Sequence, residues 1–119
     1  MTRALFAVDD DGNYTSFAVF GHADDGAVKG TDLFCAWISS AVYLTVNTVS
    51  DVFGCRDNLE FSAKDGNFLF RLRRGCPQEA YRLLQGLSMH MRSIQKQYPD
   101  KLQVRSIKTS TISEVRKHA

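Results

Sequence analysis

The chain predicts a single α+β domain, a layered ββαββαβ fold whose mostly antiparallel or mixed sheet is covered by two helices. Three observations predict it. Two runs alternate apolar and polar residues on either side of Asp65-Gly66, a residue pair suited to a tight hairpin turn. Two longer runs are apolar at helical spacing or almost without interruption. No repeat, linker or low-complexity stretch divides the 119 residues, and a chain of that length can bury one core. Strand pairs joined by short turns leave the helices to cover them. The domain is expected over 1–109, with 110–119 as a polar tail.

Residues 3–8 read as a first strand and residues 14–20, rich in aromatic and β-branched types, as its hairpin partner. Between them Asp9-Asp10-Asp11-Gly12-Asn13 is a turn, because Asp and Asn bond their own backbone and Gly admits positive φ. Gly21 and His22 stand where the second strand ends. Residues 23–31 form a loop punctuated by Gly26 and Gly30. Thr31 or Asp32 can cap the helix that follows, over about 33–53. That segment has no Lys, Arg or Glu and is apolar on more than one side, so it is expected to be buried nearly all round. Gly54 suits its exit.

Residues 58–64 turn Leu59, Phe61 and Ala63 one way and Glu60, Ser62 and Lys64 the other; residues 67–73 repeat the alternation with Phe68, Phe70 and Leu72. Pro77 fits the first position of a second helix, and Glu79 suits its positive end. Ala80, Leu83, Leu84, Leu87, Met91, Ile94 and Tyr98 make one apolar stripe before Pro99 stops it. Residues 102–108 give the last strand.

Net charge is +2, too small to imply a nucleic-acid partner. The charge is uneven, however: residues 1–54 hold Arg3 and Lys29 against seven aspartates, and the second half is basic. Cys35, Cys55 and Cys76 are odd in number, no secretory signal opens the chain, and no CxxC pair occurs. These facts argue against a disulfide framework and for a reducing cytoplasm. Cys55 and Cys76, at element boundaries, are expected to be inert. His90 and His118 lack metal-ligand spacing, so no metal and no cofactor is expected. The apolar run at 33–46 is broken by Asn47, Thr48, Ser50 and Asp51, short of the ~20 residues a membrane span needs, and no membrane partner is expected.

Chemistry concentrates between Gly21 and Ser39. Cys35 falls in the first turn of the predicted helix. Aligned dipoles and unpaired N–H groups there favour a thiolate, the reactive form of cysteine. A histidine in contact supplies a base, and the same N–H groups can hold the oxyanion of a tetrahedral intermediate. His22 lies 13 residues earlier, a distance that a strand end, a glycine loop and a helix start can fold back across. A buried, inert cysteine is the competing reading.

The run Gly21-His22-Ala23, followed by Gly30, Asp32, Cys35-Ala36 and Ser39, resembles the signature of the ribosomal-processing cysteine protease family, Prp. The likeness is specific over 21–39 and extends through element order over about 3–108. It implies an α+β fold of this kind, with Cys35 as nucleophile and His22 as base. It implies that Asp32 supports the dyad and that Ser39, one turn beyond Cys35, assists. The loop with Gly21, Gly26 and Gly30 is implied to cover substrate. The implied activity is removal of a short N-terminal extension from a large-subunit ribosomal protein, by a homodimer. Trp37 departs from the family pattern, where a small residue is usual, and can reshape a pocket or fill a dimer interface.

A carboxylate beside sulfur opposes thiolate formation, so Asp32 is expected to face His22 or the backbone. Asp24 and Asp25 are solvated loop charges or attract a basic substrate. Arg71, Arg73 and Arg74 read as a solvated face or edge protection; no aromatic platform accompanies them, which argues against direct RNA binding. Two rival functions stand beside the protease: a non-catalytic ribosome-assembly or protein-interaction module, and a redox sensor using Cys35.

Overall fold

A computed structural model describes residues 1–21 and 33–108. Five strands and two helices form one layer on another: β1 (Thr2–Val8), β2 (Tyr14–Phe20), α1 (Leu33–Asn47), β3 (Leu59–Lys64), β4 (Asn67–Leu72), α2 (Gln78–Gln97) and β5 (Leu102–Lys108). The order along the chain is the predicted ββαββαβ. The sheet order is β3-β4-β2-β1-β5. Neighbours pair antiparallel except β1 with β5, which run parallel, so the sheet is mixed.

The turns form for the reasons their residues supply. The Asp9 carboxylate accepts the N–H groups of Asp11 and Asn13, both at 2.9 Å, and Gly12 takes φ +82°. Asp65 and Gly66 both adopt positive φ, the demand of a two-residue hairpin, and bring Lys64 opposite Asn67.

Strand alternation sends one set of side chains toward the helices. Phe6, Phe17, Phe70 and Phe61 lie in consecutive register across β1, β2, β4 and β3. The Phe17 and Phe70 rings stack at 5.1 Å. From α2, Ala80, Leu84, Leu87, Met91 and Ile94 complete this core, as the helical stripe predicted. Ser88, also buried, lay outside the stripe; the Arg92 guanidinium approaches it at 3.4 Å and donates to Ser106 Oγ at 2.8 Å.

α1 departs from the expectation of all-round burial. Phe34, Ile38, Val42, Thr45 and Val46 face the core, but Leu33 and Leu44 are about two-thirds exposed and Trp37 and Tyr43 nearly half. A segment without charge has no polar face to reveal which side is outward. The helix continues as a π-type turn over Thr48–Val52, where the Phe53 N–H reaches the Thr48 carbonyl. Leu33–Val52 is therefore long and apolar enough to cross a membrane by length and composition, where a run broken at Asn47 to Asp51 and too short to span was expected. In this fold its inner side packs on the sheet.

The cysteines bring a second correction. Cys55 and Cys76 form a disulfide with Cα atoms 5.6 Å apart, where two separate, inert residues were expected. Twenty-one positions separate them in sequence, and the β3–β4 hairpin returns the chain to its starting point.

Candidate active site

Cys35 is the third residue of α1, in its first turn, and is half-buried. The opening N–H groups of a helix have no partner within it, so they point at whatever approaches this end. Ser39 follows one turn later and is also half-buried. Both lie on the side of α1 away from the exposed Leu33 and Leu44.

Neighbouring chain ends fix where this helix begins. The Phe34 ring meets Tyr98, just past α2, edge to face at 5.8 Å, and Trp37 meets the same tyrosine at 5.7 Å. Lys101 Nζ lies 5.9 Å from the centre of the Phe34 ring, a cation–π contact. The carbonyl of Lys101 accepts the Thr2 N–H at 2.9 Å, which ties this end to the start of β1.

Gly21 belongs to the same end. It takes φ +85°, and its N–H donates to Asn67 Oδ1 at 3.3 Å. A Cβ there would stand 2.5 Å from the Met1 carbonyl oxygen. Only glycine satisfies both the left-handed backbone and the close approach. The end of β2, which carries the chain toward His22, and the start of α1, which carries Cys35, thus share one end of the sheet. His22, Asp24, Asp25, Gly26, Gly30 and Asp32 lie outside the described residues, so of the predicted site Gly21, Cys35 and Ser39 have described positions.

Other candidate groups find structural roles. Glu60 accepts Arg71 at 2.7 Å and also pairs with Arg73, leaving Arg74 as the exposed end of the basic run. His90 is exposed beside a groove of about 510 Å³ between the helices, bordered by Trp37, Leu44, Leu83, Ile94 and Tyr98. Among the described residues no three His, Cys, Asp or Glu side chains are grouped to hold a metal ion. What sequence reasoning missed at this end is Tyr98. It counted as one more apolar position of the helical stripe, yet its ring abuts both Phe34 and Trp37.

A half-buried cysteine in the first turn of a core helix, where the dipole end favours negative charge on sulfur, defines a class: thiol enzymes that work by nucleophilic attack at a helix N-terminus. Comparison with known proteins narrows the class. The sequence model of the family described as cysteine protease Prp matches residues 1–103, and the chain belongs to that family. The ribosomal processing cysteine protease Prp of Bacillus subtilis is 30% identical over 108 residues, covering 87% of this chain and 96% of that one. The protein of the same name from Staphylococcus aureus is 27% identical over 104 residues, covering 87% and 97%. The crystal structure of the S. aureus essential ribosomal processing protease Prp, with a covalently linked product peptide, superposes with a TM-score of 0.80. That match has 26% identity and spans 90% of this chain and all of the other. The chain is thus a cysteine protease by family, on the same fold.

Proposed function

We propose that this chain removes a short N-terminal extension from a large-subunit ribosomal protein during ribosome assembly, using a Cys35–His22 dyad. The observation that carries the reading is Cys35 in the first turn of α1, at the sheet end where β2 finishes at Gly21, in a chain of the Prp family. His22 takes the proton from Cys35 Sγ, and the thiolate attacks the scissile carbonyl. The N–H groups of the first turn of α1 hold the oxyanion. As the intermediate collapses, His22 returns the proton to the leaving amine. Water, activated by the same imidazole, then hydrolyses the thioester. Asp32 orients His22, Ser39 supports the helix start behind Cys35, and Gly26 and Gly30 let the loop close over substrate. Asp24 and Asp25 draw in a basic peptide. The cytoplasm, where ribosomes assemble, is the expected compartment.

The protein acts as a homodimer. Supporting it is the outward side of α1, where Leu33, Trp37 and Leu44 recur at helical spacing without a charge beside the groove against α2. Such a surface can meet a second copy of itself without like-charge repulsion.

The test is intact mass. The host ribosomal protein, produced with its extension, is incubated with this chain and should be shortened at one peptide bond. Cys35→Ala and His22→Ala should each lower the rate at least ~10³-fold. A ribosomal protein bound but left at full length would instead support an assembly module.

A further inference from the structure

We propose that Cys55 and Cys76 form a reversible dithiol–disulfide site, separate from Cys35, that takes a low-molecular-weight disulfide as its oxidant. The argument begins with the polar partners of the pair. Cys76 Sγ lies 3.1 Å from the Asn58 carbonyl oxygen. In the disulfide that sulfur has no proton to donate. Once the bridge opens, the thiol donates to this carbonyl without moving. The same carbonyl already accepts the Arg73 N–H at 2.7 Å, so closing the bridge does not orphan it. Opening the bridge therefore gives the Cys76 thiol an acceptor in place, and closing it leaves the Asn58 carbonyl paired.

The surroundings are held by contacts that do not depend on the sulfur bond. The Cys55 N–H donates to the Val49 carbonyl at 3.0 Å, and the Asn58 N–H donates to the Cys55 carbonyl at 2.9 Å. A Cβ on Gly75, at φ +100°, would crowd the Asn58 side-chain amide at 3.2 Å. The two cysteines thus stay within bridging distance whether or not they are joined.

Accessibility orders the steps. Cys55 is 2% exposed, whereas Cys76 is half-buried and adjoins exposed Gly75 and Arg74 at the entry to α2. Arg74, exposed two residues before Cys76, attracts an anionic disulfide such as glutathione disulfide. The Cys76 thiolate attacks one sulfur of that disulfide and expels one thiolate, leaving a mixed disulfide. The Cys55 thiolate then attacks Cys76 Sγ and expels the second. The pair loses two electrons and two protons; the oxidant takes them up as two thiols.

Cys35 stands apart from this exchange. The helical segment from Leu33 to Val52 separates it from Cys55 by roughly 25 Å, far beyond disulfide reach. The site therefore tightens the far end of the domain under oxidising conditions without drawing the active-site thiol into a bridge.

The experiment uses the full chain, equilibrated in buffers of graded glutathione to glutathione disulfide ratio, quenched with N-ethylmaleimide and read by intact mass and peptide mapping. The reduced protein should take three maleimides. The oxidised protein should lose two of them, on Cys55 and Cys76, and yield a joined Cys55–Cys76 peptide. Dithiothreitol should reopen the bridge in the folded protein. The oxidised form should melt roughly 5–15 °C higher, a shift absent from Cys55→Ala with Cys76→Ser. Three maleimides at every ratio, a bridge through Cys35, or a bridge that opens only after denaturation would each overturn the proposal. The mass readout on the unmutated chain needs neither variant to fold and does not depend on peptide cleavage.

Discussion

The two ends of the sheet hold the same residue type in opposite circumstances. At one end Cys35 sits half-buried on the first turn of α1, near chain ends tied together by Gly21, Thr2 and Lys101. At the other, Cys55 is buried and joined to Cys76, between the exit of α1 and the entry of α2. The difference teaches that a thiol takes its role from its surroundings. A place in the first turn of a helix and access favour attack on a carbonyl; a second sulfur at bridging distance favours exchange. The sequence led to the expectation of inert residues at Cys55 and Cys76, and the structure joins them.

Several changes would break or sharpen that contrast. The largest effect is expected from Cys35→Ala, which should abolish peptide cleavage while leaving the melting temperature within a degree or two, measured on one preparation. The paired change Cys55→Ala with Cys76→Ser should do the reverse, keeping cleavage within about twofold under reducing conditions. If cleavage fell with the second pair, the two ends would not be independent. Phe17→Ala, between the ends, should cost about 3–5 kcal/mol in denaturant unfolding, because it empties a stacked position in the core.

Gly21→Ala is expected to cost about 1–3 kcal/mol, since the new methyl group meets the Met1 carbonyl on a left-handed backbone. It should also slow cleavage more than its stability loss explains, because the same residue sets how the chain leaves β2. Equal activity per folded molecule would separate Gly21 from the active site. Trp37→Ala should weaken self-association in sedimentation runs without changing the fold by circular dichroism.

The smallest effect belongs to Asp51, near the disulfide end. Hydrogen bonds from Arg56 and then Ser50 hold its carboxyl below the usual range. A carboxyl lowered in the folded state adds stability above its unfolded value and loses it as pH falls through the folded one. Asp51 and Arg56 are fully exposed, and solvent screens the pair. Asp51→Asn should therefore leave the melting curve unchanged between pH 3 and pH 7.

Much of the fold was legible in advance. The Asp65-Gly66 hairpin, the α2 stripe and the five strands follow from local signals, because alternation and helical spacing are properties of neighbouring residues. The position of Cys35 was legible for the same reason: a polar pair, Thr31-Asp32, precedes an apolar run. The exposure of α1 was not. A run without charge reads as buried on every side, and only the packing of its neighbours decides which side is left open. Gly21 read as a strand end, but its need to be glycine comes from Met1, twenty positions away.

The sequence by itself determined the elements, their order, the reduced cysteine at a helix start and the likeness of residues 21–39 to one protease family. Each rests on residues close together along the chain. Tertiary structure alone decided that β1 and β5 run parallel, that Leu33, Trp37 and Leu44 face outward, and that Cys55 meets Cys76. Those outcomes depend on which distant segments share a layer, and the mutual fit of sheet and helices settles that after the local signals are spent.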